Sequence, residues 1–222
     1  MDKHMRDVRR AVEAELMGMP YEFQGARLRA ARERPPLPFD PSMMDDMLLI
    51  PKSMRVKRIA FWWAHGCLTR EHLNTLLAEH WGLGGWPADM GLGTRRLVRM
   101  FRDAGFVTDT AGITAPTEPI TLYRGAGMHN VRGLAWSTDE QVAAWFAVRL
   151  QQLFPDSYPC LYTVTMPPHH VLGRFLGMRE EEVVVNALAL RGRVDFGEGV
   201  HVTDPRVMEL ARQHSLAVHG VT

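Results

Sequence analysis

Cysteine is nearly absent from this chain. Cys67 and Cys160 are the only two, far apart and without the close spacing that metal sites use. That excludes a disulfide-stapled secreted scaffold and leaves two buried thiols suited to a reducing compartment. No apolar run approaches the roughly 20 residues needed to cross a bilayer, and the first residues are charged throughout, with no signal-peptide core. The expected location is therefore cytoplasmic, in the producing cell or in a target cell, with no membrane partner. A dominant charge is missing too. The formal net charge of +1 gives no global attraction to nucleic acid or to an anionic surface. Internal repeats and low-complexity tracts are also lacking. What is present is 46% hydrophobic and 23% charged, an ordinary globular composition, in 222 residues that suffice for one large domain or two small ones.

Along the chain, Val8, Ala11, Val12, Leu16 and Met17 recur at helical spacing, and Gly18 with Pro20 stops that helix. A second basic segment, Arg27 to Arg34, ends in Pro35-Pro36-Leu37-Pro38, and prolines at 41 and 51 make 35–51 an extended arm. Residues 1–55 thus read as a helical segment plus a proline-rich linker. Residues 56–117 read as a compact helical unit. It has an aromatic-rich helical stretch, Ile59 to Ala64, ending at Gly66, then a helix capped by Thr69 and carrying Leu73, Leu76 and Leu77. A glycine-rich loop, Gly82 to Gly93, leads to a third helix capped by Thr94 and terminated by Gly105. Phe106-Val107-Thr108 and Ile113-Thr114 flank a turn and are expected to pair as a hairpin. Helix, helix, helix, hairpin is the order of a winged helix-turn-helix. Arg95, Arg99 and Arg102 share one face of the third helix, suited to DNA phosphates in a major groove. A plain solvated face is the simpler reading, so nucleic acid is a candidate partner and no more.

After Thr117 the pattern changes to short strands separated by turns. Strands are expected at Ile120 to Arg124, Leu134 to Ser137, Leu161 to Met166, Glu182 to Val185 and Leu190 to Asp195. A helix from Asp139 to Leu150 and a final one from Pro205 to Gln213 accompany them, while Val171 to Phe175 reads as helical or irregular. The fold class expected is α+β. Glu180-Glu181-Glu182 runs straight into Val183-Val184-Val185. Strand alternation would put Glu180 and Glu182 on one face, a poor choice for stability and a good one for holding a cation or a cationic transition state. Metal chemistry is not expected. His169-His170 lack a third ligand at recognisable spacing, and His72 and His80 sit eight residues apart on one helix.

Three polar signals stand at strand edges: Leu122-Tyr123-Arg124-Gly125; Trp136-Ser137-Thr138-Asp139 leading into Val142-Ala143-Ala144-Trp145-Phe146-Ala147; and Glu180-x-Glu182 followed by valines. In this order and at these separations they resemble the Arg–Ser–Glu, toxin-like class of ADP-ribosyltransferases, across roughly residues 118–196. The family's Ser-Thr-Ser stands here as Ser137-Thr138-Asp139, which leaves the pocket hydroxyl between Ser137 and Thr138, with Ser137 favoured.

The resemblance implies a small β-rich, split-sheet transferase-like domain at 118–222, behind the winged-helix-like part. It implies NAD as substrate, no metal, and a macromolecular acceptor, a protein side chain with arginine favoured. Cleaving the bond to nicotinamide develops an oxocarbenium ion on the ribose. Glu182 would stabilise that cation, Arg124 would clamp the dinucleotide, and Ser137 would orient groups at the cleft. Tyr123, Gly125, Trp136 and Thr138 complete the expected NAD-binding set, with Tyr123, Trp136 and Phe146 as aromatics to stack on nicotinamide. Glu180 would receive the acceptor, beside an exposed Phe175 on the loop from Val171 to Arg179. The layout suits a bacterial toxin, a defence effector or a phage-encoded host modifier. Two other readings stand beside this one: an NAD glycohydrolase using water as acceptor, and a DNA-binding or adaptor protein whose second domain is inactive.

Overall fold

Proline is tolerated at a helix start because the first backbone donors have no partner there anyway. Among the described residues of the computed structural model, a helix accordingly begins right after Pro51. The structure describes Met47 and residues 50–82, 91–177, 180–191 and 198–219. The helix and the basic segment expected before residue 35, nearly all of the arm, most of the glycine-rich loop and residues 192–195 lie outside the described residues.

Three helices come first. α1 (Lys52–Ala64) starts earlier than its aromatic stretch suggested and buries Val56, Ile59, Ala60, Phe61 and Trp62. α2 (Arg70–His80) is capped by Thr69, whose hydroxyl accepts from the His72 N–H at 3.2 Å. α3 (Thr94–Ala104) buries Leu97, Val98, Met100 and Phe101. Its N-cap is Gly93 rather than Thr94, which is the first helical residue and makes no capping bond. Gly105 ends α3 at φ 81, a left-handed conformation that favours glycine.

The hairpin expected after α3 does not form. β1 (Val107–Thr108) pairs in parallel with β5 (Val171–Phe175), and Ile113-Thr114 belongs to no strand. The apolar Val107 is fully buried in the sheet's core, whereas a two-stranded wing would have left it half solvated. Gly173 makes the pairing close: a Cβ there would sit 2.7 Å from the Val107 carbonyl oxygen. The segment Val171–Phe175, expected to be helical or irregular, is thus a central strand.

The sheet has seven strands in the order β1-β5-β6-β3-β2-β4-β7, all antiparallel except β1 with β5. Its other members are β2 (Ile120–Ala126), β3 (Ala135–Ser137), β4 (Cys160–Met166), β6 (Glu182–Val185) and β7 (Val200–His201). Leu190 belongs to a single 3-10 turn, Ala189–Arg191, not to the strand expected there. α4 (Glu140–Leu153) follows β3, its first turn satisfied by Asp139, whose carboxylate accepts from Gln141 N at 2.7 Å. α5 (Pro205–His219) starts behind Asp204, which accepts from Arg206 N at 2.8 Å, and runs past Gln213.

One hydrophobic cluster joins the helical unit to the sheet. Ile59, Leu76, Leu97, Phe101 and Val107 pack with Leu122, Trp136, Phe175 and Val183 to Val185. A smaller cluster under α4 and α5 gathers Ala143, Ala144, Ala147, Leu161, Val202, Val207 and Ala211. Among the described residues the fold is mixed α/β, with five α-helices and a seven-stranded mixed sheet. No helix among them is long and apolar enough to cross a membrane.

Candidate active site

Strand order decides what meets here. β6, β3 and β2 are neighbours, and the register places Tyr123 opposite Ser137 and Ser137 opposite Glu182 in one row across the sheet. β2 and β3 are paired at that one position. Residues of both strands border a cavity of about 370 Å³, a volume in the range that binds small molecules. Tyr123, Arg124, Ser137, Phe146, Glu180 and Glu182 line it from the sheet and α4. Trp81, Gly93, Thr94 and Leu97 wall it from the helical unit.

Glu182 opens β6 and is tied to the opposite wall: the Trp81 indole N–H donates to its Oε1 at 2.6 Å. Burial pushes its carboxyl up to about 7. The Trp81 bond and the Arg124 charge pull it down, while Glu180 and Asp109 push it further up. At neutral pH this carboxyl is therefore divided between its two protonation states.

Arg124 reaches into the loop that follows β2. Its Nε and Nη2 donate to the Asn130 carbonyl at 3.3 and 3.2 Å, and Nη1 donates to the Ala135 carbonyl. Burial lowers it to about 10 against the opposing pull of Glu182, so it remains a cation at neutral pH. A guanidinium carries more N–H groups than these two carbonyls use, which leaves donors for an anionic ligand. Gly133 makes the arrangement possible, because a Cβ there would come within 2.3 Å of Arg124 Nη2.

Ser137 is buried, donates to the Glu180 carbonyl at 2.9 Å and accepts from Asp139 N at 3.0 Å. Thr138 turns instead to Glu181, donating to its carboxylate at 2.6 Å. Of the two hydroxyls, Ser137 lines the cavity. Glu180 reaches the cavity by a route other than strand alternation. β6 starts only at Glu182, and Glu181 stands at φ 44, a left-handed conformation rare for a residue with a side chain. That kink is held by the bond from Ser137 to the Glu180 carbonyl, by Thr138 N to the Glu181 carbonyl at 3.3 Å, and by Arg174 at 3.6 Å from the Glu181 carboxylate. Burial raises the Glu180 carboxyl above its ordinary value as well.

The remaining expected residues separate into two groups. Tyr123 and Phe146 line the cavity. Trp136 also borders it, but is only 2% exposed and donates its indole N–H to the Gly133 carbonyl at 3.0 Å. Gly125 serves packing: a Cβ there would fall 2.2 Å from the Ala143 carbonyl oxygen, so its bareness lets α4 lie on β2. Phe175 is a correction. It lies in β5 opposite Glu182 and is 3% exposed, an apolar strand residue drawn into the core, so it cannot meet a macromolecular acceptor. Arg95, Arg99 and Arg102 are exposed on α3, away from the sheet-side residues, with Arg99 6.0 Å from the Trp63 ring.

Sequence reasoning missed Trp81, Asn130 and Gly133. No local signal marks Asn130 or Gly133, since their roles are to present a carbonyl and to lack a side chain. Trp81, following the last periodic residues of α2, was legible as an apolar helix end but not as a donor to a carboxylate 101 positions away. Comparison with protein-family models, with curated proteins and with solved structures finds no match to this chain.

Proposed function

We propose that this chain is a mono-ADP-ribosyltransferase that cleaves NAD, releases nicotinamide and passes ADP-ribose to a macromolecular acceptor, a protein arginine being the favoured group. The observation that carries this reading is the convergence of Arg124, Ser137 and Glu182 on one cavity from three neighbouring strands. The nicotinamide end of NAD enters that cavity. Arg124 offers its spare N–H groups to phosphate or ribose oxygens. The ionised Glu182 accepts from a ribose hydroxyl and stabilises the positive charge that grows on the sugar. The carbon–nitrogen bond breaks with its electron pair leaving on nicotinamide. An acceptor nitrogen then bonds to the same carbon, and its proton passes to Glu180.

Incubation with labelled NAD and lysate, followed by mass spectrometry of the modified species, tests this directly. Absence of nicotinamide release from the folded protein would remove the reading. Glu180→Ala is expected to lose label transfer by about 10²-fold or more while still releasing nicotinamide to water. Transfer at the parent rate would strip Glu180 of its role. The pH dependence has a definite sign. Only ionised Glu182 stabilises the cation, so release should climb as pH rises through about 7 and level off above it. A profile flat between about pH 5 and pH 8 would place the active carboxylate elsewhere.

A second reading keeps the same cavity with water as acceptor. Trp81, Thr94 and Leu97 line the cavity on the side of the helical unit, and water as acceptor needs no room for a macromolecule there. The ratio of free ADP-ribose to labelled protein separates the two.

A further inference from the structure

We infer that Trp81 is a positioning residue of the reaction centre: its indole N–H holds one oxygen of the Glu182 carboxylate and leaves the other to the cavity. The helical unit then supplies part of the machinery rather than only a surface for the target. The role in turnover rests on the function proposed above, whereas the hold on the carboxylate does not.

Three observations carry this inference. The bond is short, 2.6 Å from Nε1 to Oε1, and among the described residues the Glu182 carboxylate has no other hydrogen-bond donor. The donor is immobilised. Trp81 caps α2 with its backbone N–H bonded to the Leu77 carbonyl at 3.0 Å, is 3% exposed, and meets Phe101 edge-on at 4.7 Å between ring centroids. Both residues border the cavity, so the fixed carboxylate faces the space where substrate would lie.

The choice of donor matters chemically. An indole N–H can only donate, so it pairs with the carboxylate oxygen and cannot compete for a ribose hydroxyl's proton. It is also neutral. A lysine or arginine in this place would orient Glu182 equally well but would cancel the negative charge that the developing cation needs. A fixed χ angle on a glutamate otherwise free to rotate removes part of the ordering cost from the reaction step. Arg124, Glu180 and Asp109 also act on this carboxylate, so the effect of Trp81 must be read against them.

Trp81→Phe in the full chain tests the inference, because it keeps a ring against Phe101 while removing the donor, and the volume lost with the indole is told apart from the lost bond by the titration. Glutamate carboxyl carbons are followed by NMR across the pH range, with the Glu182 signal assigned by its loss in Glu182→Gln. In Trp81→Phe the Glu182 midpoint is expected at higher pH than in the parent, since a bond favouring the anion is gone. Nicotinamide release is expected to lose about tenfold in kcat, with KM for NAD within about twofold. Its acidic limb should move upward, so that the deficit shrinks at alkaline pH. A mere packing role would leave midpoint and limb where they are, and that result overturns the inference. A parent without nicotinamide release would defeat the proposed function, and the carboxyl titration would still decide the hold of Trp81. Should Trp81→Phe fail to fold, the parent's indole proton resonance decides. It is expected to shift with the Glu182 midpoint and to stop doing so in Glu182→Gln. A resonance that stays fixed from about pH 5 to about pH 9 refutes the bond.

Discussion

Glu182→Gln is expected to slow nicotinamide release by about a hundred- to a thousandfold, and at the same time to make the protein more stable above pH 7. The first effect follows from charge. The amide keeps the shape of the side chain and can still accept from the Trp81 indole, but it brings no negative charge to the ribose. The second follows from the cost of burying that charge. Burial holds the Glu182 carboxyl at about 7, well above its value of 4.5 in an unfolded chain. Between these two pH values the folded protein retains a proton that the unfolded chain has released, so stability falls as pH rises. The full cost is reached above pH 7 and amounts to about 3 kcal/mol at most. Urea unfolding of parent and variant at pH 8 and at pH 5 checks this, with the variant's advantage expected at pH 8 and shrinking toward pH 5. An advantage of equal size at both would mean that ionisation is not its source.

Gly125→Ala should be the most damaging small substitution in the sheet. The added Cβ would lie 2.2 Å from the Ala143 carbonyl oxygen, 2.4 Å from Ala147 N and 3.0 Å from Ala147 Cα. All three atoms belong to the α4 backbone, which cannot yield as a side-chain tip can. Relief requires lifting α4 off β2, and with it the small alanine- and valine-lined cluster shared with α5. Overpacking of this kind costs about 3 kcal/mol or more. A shift of the urea midpoint smaller than that of a typical surface substitution would show that α4 does not press on β2 as closely as described. The glycine of Tyr123-Arg124-Gly125 is thus explained by helix packing before any ligand is invoked.

Much of the second half was legible because its signals are local. Glu182 to Val185 forms a strand with the bounds expected from three consecutive β-branched residues. Asp139 and Thr69 cap the helices that follow them, since a cap depends on bonds only two or three residues away. The convergence of Arg124, Ser137 and Glu182 was expected only through the family resemblance, and the adjacency of β6, β3 and β2 is what puts all three on one cavity. What local signals cannot carry is a partner far along the chain. Phe175 was placed on an exposed loop by the family resemblance, yet Gly173 admits the β1 backbone and Val171 to Phe175 is a strand. Val107 and Thr108 suggested half of a hairpin because they and Ile113-Thr114 flank a turn. Their true partner lies more than sixty residues later. Glu180 was placed by strand alternation, while a left-handed turn at Glu181 is what brings it to the cavity.

α3 touches the cavity through Thr94 and Leu97 and turns Arg95, Arg99 and Arg102 to solvent. The helix is 11 residues long, about 16 Å at the usual rise. An acidic protein or a phosphate backbone gripping that arginine row would be anchored within one short helix of the carboxylates. The row and the pocket share a rigid ruler, so if the pocket transfers ADP-ribose as proposed, a target's modified group would be picked by its spacing from an anionic feature rather than by the sequence around it.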